Sequence, residues 1–241
     1  MNIKLFSLGT EIDRALRGEY TDEETLRTGK IEMGVRDLVQ ASLLLGMVYG
    51  LCMGLFPITR DAGRGGLQMA ATMLKVPLLF LLTLLVTFPS LYVFSALAGS
   101  RLGAKSTLRL LVVAIAVNLA VVAGFGPVTA FFVLCTKSYS FIKLLNVAMF
   151  AIGGVISLVF LRRTLAHVFG PGGATPKDRF QGGRARQIFG VWIVVYGIVG
   201  AQMGWVLRPF IGAPELPFQL FRARESSFFQ DLVKTFGDFL S

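Results

Sequence analysis

LLVVAIAVNLAVVAGFGPVTAFFVLCT, Leu110 to Thr136, runs for 27 residues without a charged side chain. A bilayer's hydrocarbon core is crossed by about 20 apolar residues in a helix, so this stretch alone places the chain in a membrane. Four more uncharged stretches lie around it: Leu38 to Thr59, Val76 to Ser100, Leu144 to Leu161 and Gln187 to Leu207. The fourth in chain order extends back to Ser140 if the Lys143 stem snorkels outward, as lysines at helix ends do at little cost. The pattern predicts an all-α, polytopic membrane protein with five transmembrane helices, at about 38–59, 76–100, 110–136, 140–161 and 187–207. A 1–37 segment precedes this 38–207 domain, and a 208–241 segment rich in proline near its start follows it.

The rest of the composition agrees. Of 241 residues, 54% are hydrophobic and 16% charged, with mean hydropathy +0.67; soluble domains carry about 25% charge. Two cysteines and one histidine leave neither a disulfide scaffold nor a zinc pattern. A net charge of +10 would suggest nucleic acid in a soluble domain. Here the lysines and arginines stand at the edges of apolar runs, where they read as membrane flanks, and no nucleic-acid partner is expected.

Loop charge predicts the orientation. With the N-terminus inside, fifteen Lys and Arg fall in inner segments and nine in outer ones, which favours a cytoplasmic N-terminus and an external C-terminus. The first 37 residues mix eight acids with six bases and have no apolar core, so no signal peptide is expected and the first span serves as its own insertion signal.

Within span one, Gly46, Gly50 and Gly54 recur every fourth residue and share one helix face that admits a second backbone. Gly200 and Gly204 repeat the pattern in span five, with Gly197 to one side. Span two has no small residue from Leu78 to Leu85 and suits lipid. Spans one and five are therefore expected to pack centrally, on each other or across an oligomer interface. Pro89 interrupts span two, and Gly126-Pro127 breaks span three, because proline removes a donor and crowds the preceding turn; a kink, or a discontinuous helix open to a substrate, would result.

Thr10-x-x-Asp13 and Thr21-x-x-Glu24 read as capping boxes that start two short N-terminal helices. Ile12, Ala15 and Leu16 give the first an apolar side for the bilayer surface or a partner. The glycine-rich, basic stretch from Arg162 to Arg186 reads as a flexible cytoplasmic loop on the anionic leaflet. Beyond Arg208-Pro209, Ser226 or Ser227 is expected to cap a final amphipathic helix whose Phe228, Phe229, Leu232, Val233, Phe236 and Leu240, opposite the polar Gln230, Asp231, Lys234 and Asp238, dock on the outer interface or on a partner.

Chemistry is sparse. The spans hold no His, Asp or Glu from which to build a nucleophile, a metal site or a cation-coupling carboxylate, so no enzyme, cofactor or metal is expected. Asn118, Asn146, Gln40, Gln202, Thr83 and Thr87 are candidates for hydrogen bonds between helices. Lys75, Lys137, Lys143 and Arg208 near the outer boundary are candidate contacts for an anion or a lipid phosphate. Cys52 and Cys135 are expected to be buried free thiols, with a disulfide conceivable if spans one and three touch. Trp192 and Trp205, about 20 Å apart along a helix, read as interfacial anchors.

Two blocks, Leu74 to Phe94 with Ser95 to Arg101, and Gln202 to Gly212 continuing to Arg222, resemble a group of uncharacterised bacterial multi-span inner-membrane proteins. The likeness covers spans two to five and implies no activity. Span number and orientation also resemble Yip-type proteins, which organise membranes through partners; the motif that precedes the first helix in that family is not recognisable here. The expected function is that of a non-enzymatic membrane subunit or scaffold in the bacterial cytoplasmic membrane, whose partners are lipids and another membrane protein or a second copy. The alternative is a homo-oligomeric channel or permease for a small anion or lipid.

Overall fold

The computed structural model describes residues 2–17, 19, 35–60, 62–97, 104–168, 176–212, 219–221 and 228–240. They form eight helices and no strand: α1 (Asn2–Arg17), α2 (Val35–Arg60), α3 (Ala62–Leu97), α4 (Ala104–Gly124), α5 (Gly126–Cys135), α6 (Tyr139–Val168), α7 (Pro176–Val206) and α8 (Phe228–Leu240). Four apolar stretches are long enough to cross a membrane: Val35–Thr59, Gly65–Val93, Thr107–Cys135 and Tyr139–Phe160. Gly190–Val206 is apolar but shorter. The molecule is thus an all-α membrane protein.

Several expectations are corrected. Thr10 lies inside α1, which already begins at Asn2, and Asp13 accepts a 2.8 Å hydrogen bond from Arg17 one turn on instead of capping a start. That bond holds the Arg17 guanidinium above its ordinary pKa. The Thr21 box and Ser226 and Ser227 lie outside the described residues. The basic connection after Arg162 is mostly helical: α6 runs to Val168 and α7 starts at Pro176. α3 continues as helix through both Pro77 and Pro89. The break in span three is real and one residue long. Phe125 N–H donates to the Val122 carbonyl at 3.0 Å, and Thr129 N–H resumes the ladder to Phe125 at 2.9 Å; Pro127, lacking an N–H, cannot reach back to Ala123.

The chain forms two compact units. Unit 1 comprises residues 1–42, 83–118 and 155–199, and unit 2 comprises 43–82, 119–154 and 200–241. The boundaries all fall within helices.

Unit 1 has an apolar core. Leu38 of α2, Val112, Val113, Ala116 and Val117 of α4 and Ala15 of α1 form one cluster, so Ala15 packs on its own chain while Leu16 beside it is 50% exposed. Leu91, Leu111, Ala114 and Trp192 form the other. Trp192 is fully buried and donates to the Ser90 hydroxyl at 3.1 Å. Its expected role as an interfacial anchor is thereby corrected: an indole needs one acceptor when buried, and Ser90 supplies it. Ser157 of α6 donates to the Ala114 carbonyl of α4 at 2.7 Å.

Unit 2 begins from a glycine zipper between α2 and α3. A Cβ on Gly46 would lie 3.0 Å from the Pro77 ring, one on Gly50 2.7 Å from the Met73 Cα, and one on Gly54 2.7 Å from the Met69 side chain. At the turn between the helices a Cβ on Gly65 would meet the Ile58 Cα at 2.6 Å. The glycine face of α2 therefore receives α3, in place of the expected span five. Lipid chains are as apolar as Leu, so helices in a bilayer gain little by hiding apolar surface and must gain by close contact; glycine every fourth residue provides that contact.

Candidate functional site

Unit 2 holds three groups of polar side chains, each joined by bonds inside the protein. Tyr49 of α2 is buried and donates to Asn146 Oδ1 of α6 at 2.8 Å, while Thr129 of α5 donates to the Tyr49 oxygen at 3.5 Å. Asn146 in turn donates to the Ile142 carbonyl at 2.8 Å. This triangle holds α2, α5 and α6 where Gly126 lets α5 approach: a Cβ there would lie 3.2 Å from Cys52 Sγ. Sequence reasoning named Asn146 and Gly126 but missed Tyr49 and Thr129, whose hydroxyls read as ordinary span residues.

The second group is a polar stripe on α3. Gln68, Thr72 and Lys75, spaced i, i+4, i+7, share one face. All three point at the segment that follows α7. Gln68 Nε2 donates to the carbonyls of Pro209 and Phe210 at 3.1 and 3.0 Å. Thr72 donates to Phe210 at 2.5 Å. Lys75 Nζ donates to Pro209 at 2.9 Å and to Leu220 at 2.5 Å, with the Phe221 ring centroid 5.4 Å away. Lys75 is 3% exposed, and no carboxylate among the described residues pairs with it. Carbonyl dipoles and an aromatic face stand in for a counter-ion. Non-helical backbone leaves its carbonyls open, and in a membrane protein those groups must find partners within the chain. The stripe supplies them for Pro209, Phe210 and Leu220, and Gly212 packs tightly on Gln68, where a Cβ would sit 3.0 Å from Cγ.

The third group fixes α8. Lys143, in the second turn of α6, forms an ion pair with Asp231 and donates to Thr235 at 2.8 Å. Asp231 was expected on the polar side of α8, away from the apolar stripe. It and Thr235 instead form the side that faces α6, with Phe228 and Leu232 half-buried beside them. Phe229 and Phe236 are exposed.

The remaining candidates scatter. Lys137 is exposed. Arg208 lies with its guanidinium carbon 3.7 Å from the Trp205 ring centre, so Trp205 is a buried stacking platform rather than the expected anchor. Its Nε1 has no hydrogen-bond partner among the described residues, nor does Asn118 Oδ1. Gly204 is 3.9 Å from Leu79 by the same Cβ measure and Gly197 meets nothing within 4 Å; Gly200 is half-buried. Pro127 is exposed next to buried Gly126. Cys52 and Cys135 are free thiols, Cys52 half-buried and Cys135 exposed, where both were expected to be buried. Among the described residues no three His, Cys, Asp or Glu stand close enough to hold a metal ion.

No family model matches the chain, and neither a curated protein nor a solved structure does.

Proposed function

We propose that this chain is a non-enzymatic subunit or scaffold of the bacterial cytoplasmic membrane, with five spans, a cytoplasmic N-terminus and an external C-terminus. The observation that carries the reading is how the polar groups of the transmembrane region are used. Tyr49, Thr129 and Asn146, Gln68, Thr72 and Lys75, and Ser157 all bond to other parts of the same chain. A carrier or channel keeps such groups for its cargo. Here they fasten helices and carbonyls, which is the economy of a structural bundle. The fifth span is Gly190–Val206, about 25 Å long as a helix, and the arginines and lysines that favour an inner N-terminus support the orientation. The partner is another membrane protein or a second copy.

The alternative, a channel or permease for a small anion or lipid, draws on Lys75 and Lys143. Their ammonium groups are engaged by carbonyls and by Asp231, so the geometry favours the scaffold. Two measurements test the choice. The complex extracted from its native membrane without detergent is expected to contain a stoichiometric foreign protein; a closed homo-oligomer alone moves the channel reading to first place. In liposomes, anion flux that falls in Lys75→Gln and Lys143→Gln would install the channel in its place.

A further inference from the structure

The Lys143 clamp sets the level of α8 as well as its position. Lys143 stands four residues into α6, whose apolar stretch Tyr139–Phe160 is long enough to cross a membrane. Four residues are about 6 Å of helix rise, so the ammonium lies within the first turns of the span. Asp231 and Thr235 are bonded to it, and α8 is therefore held beside the end of the span, at the edge of the bilayer. A helix is about 10–12 Å across with its side chains, which keeps its far side in the same slab.

That far side is apolar. Phe229, Val233 and Phe236, spaced i, i+4, i+7, are 52%, 72% and 54% exposed. Lys234 is exposed between that stripe and the side that carries Asp231, and Asp238 is exposed on the Asp231 side. The neighbouring end of α5 continues the same apolar level: Phe132 packs edge-on against Phe141 of α6 at 5.4 Å between ring centres, while Phe131 and Leu134 point outward, exposed. An aromatic stripe with charged side chains on the opposite half of the helix, fixed at the end of a span, matches the boundary between headgroups and acyl chains.

We infer that α8 is an interfacial membrane helix: Phe229, Val233 and Phe236 insert into the lipid boundary, and Lys143 with Asp231 and Thr235 is the strut that keeps the helix at that depth. The occupant of the exposed stripe is the bilayer of the protein's own membrane. The inference rests on the membrane reading of α6 and is independent of whether the chain is a scaffold or a channel.

The test uses the intact protein in phosphatidylcholine and phosphatidylglycerol vesicles doped with a phospholipid that carries a diazirine near the ester end of one acyl chain. After illumination, mass spectrometry locates the adducts. Expected are adducts on Phe229, Val233 or Phe236 together with adducts on Phe131 or Leu134. Adducts on Phe131 or Leu134 with none on α8 overturn the inference and leave the membrane reading standing; adducts nowhere overturn both. A cross-link from the α8 stripe to a second copy, in place of lipid, also overturns it. Val233→Glu is expected to lower the α8 yield severalfold with the Phe131 yield unchanged, and equal loss at both places would show a general change in fold and refute the local assignment.

Discussion

Unit 1 joins its helices through apolar side chains with a few hydrogen bonds between them, Trp192 on Ser90 and Ser157 on Ala114. Unit 2 does the reverse: glycines bring α2 and α3 to backbone contact, and Gln68, Thr72, Lys75 and Lys143 then bond the parts of the chain that are not transmembrane helix. The contrast follows from what each must hold. Helix packed on helix has its backbone groups already satisfied, so shape is sufficient. Residues 207–212 and 219–221 are non-helical, and their open carbonyls demand donors. One region therefore depends on volume and the other on direction.

The comparison can be broken at several points, and the expected effects descend in size. Trp192→Ala should destabilise the protein most, by about 3 kcal/mol or more, because a fully buried large side chain leaves a cavity; unfolding in detergent or lipid particles measures it. Trp192→Phe keeps most of the volume and should cost only about 1 kcal/mol for the lost Ser90 bond. A similar loss in both variants would mean that unit 1 depends on direction after all.

Gly50→Ala is expected to cost about 2 kcal/mol, since its Cβ would enter the backbone of α3 and overpacking commonly costs about 1–3 kcal/mol. Gly154→Ala, where a Cβ meets nothing within 4 Å, should fall within about 0.5 kcal/mol of the parent. Equal effects at the two glycines would show that α2 and α3 do not touch as described. Lys75→Met keeps the stem but removes the donor from the Pro209 and Leu220 carbonyls, and about 1–2 kcal/mol should be lost. Limited proteolysis gives the sharper readout: cleavage between 207 and 221 should rise while the helices stay intact. The smallest effect is Tyr49→Phe, about 0.6 kcal/mol, the usual size of one polar bond between membrane helices.

Legibility followed the kind of interaction. Apolar runs announce membrane helices because the required length is fixed by the bilayer, and the spans near 38–59, 110–136 and 140–161 match apolar helices of the structure closely. The glycine face of α2 was legible as a face, for period four is a property of the helix alone. Its partner was not: the large apolar side chains of span two argued for lipid, whereas the glycines meet the backbone at Met73, the Met69 residue and the Pro77 ring, and Met69 and Met73 precede the uncharged stretch that marked span two. Of the stripe Gln68, Thr72, Lys75 only Lys75 was singled out, as an anion or lipid contact, and nothing in its own segment says that the stripe faces residues about 140 positions later. Asp231 was assigned to the polar side of α8 because amphipathicity was judged within the helix; an ion pair with Lys143 makes that side the docked one.

By itself the sequence determined that this is an all-helical membrane protein, where its main apolar helices run, and that span three breaks beside Gly126-Pro127. These are consequences of chain length against bilayer thickness and of proline's missing N–H, and both act within a single segment. Only the tertiary structure decided that α3 fills the glycine face, that Lys75 holds backbone carbonyls, and that Lys143 fixes α8. Those contacts join residues far apart in the chain, and a side chain's own segment records which bonds it is able to make but not which distant group will meet it.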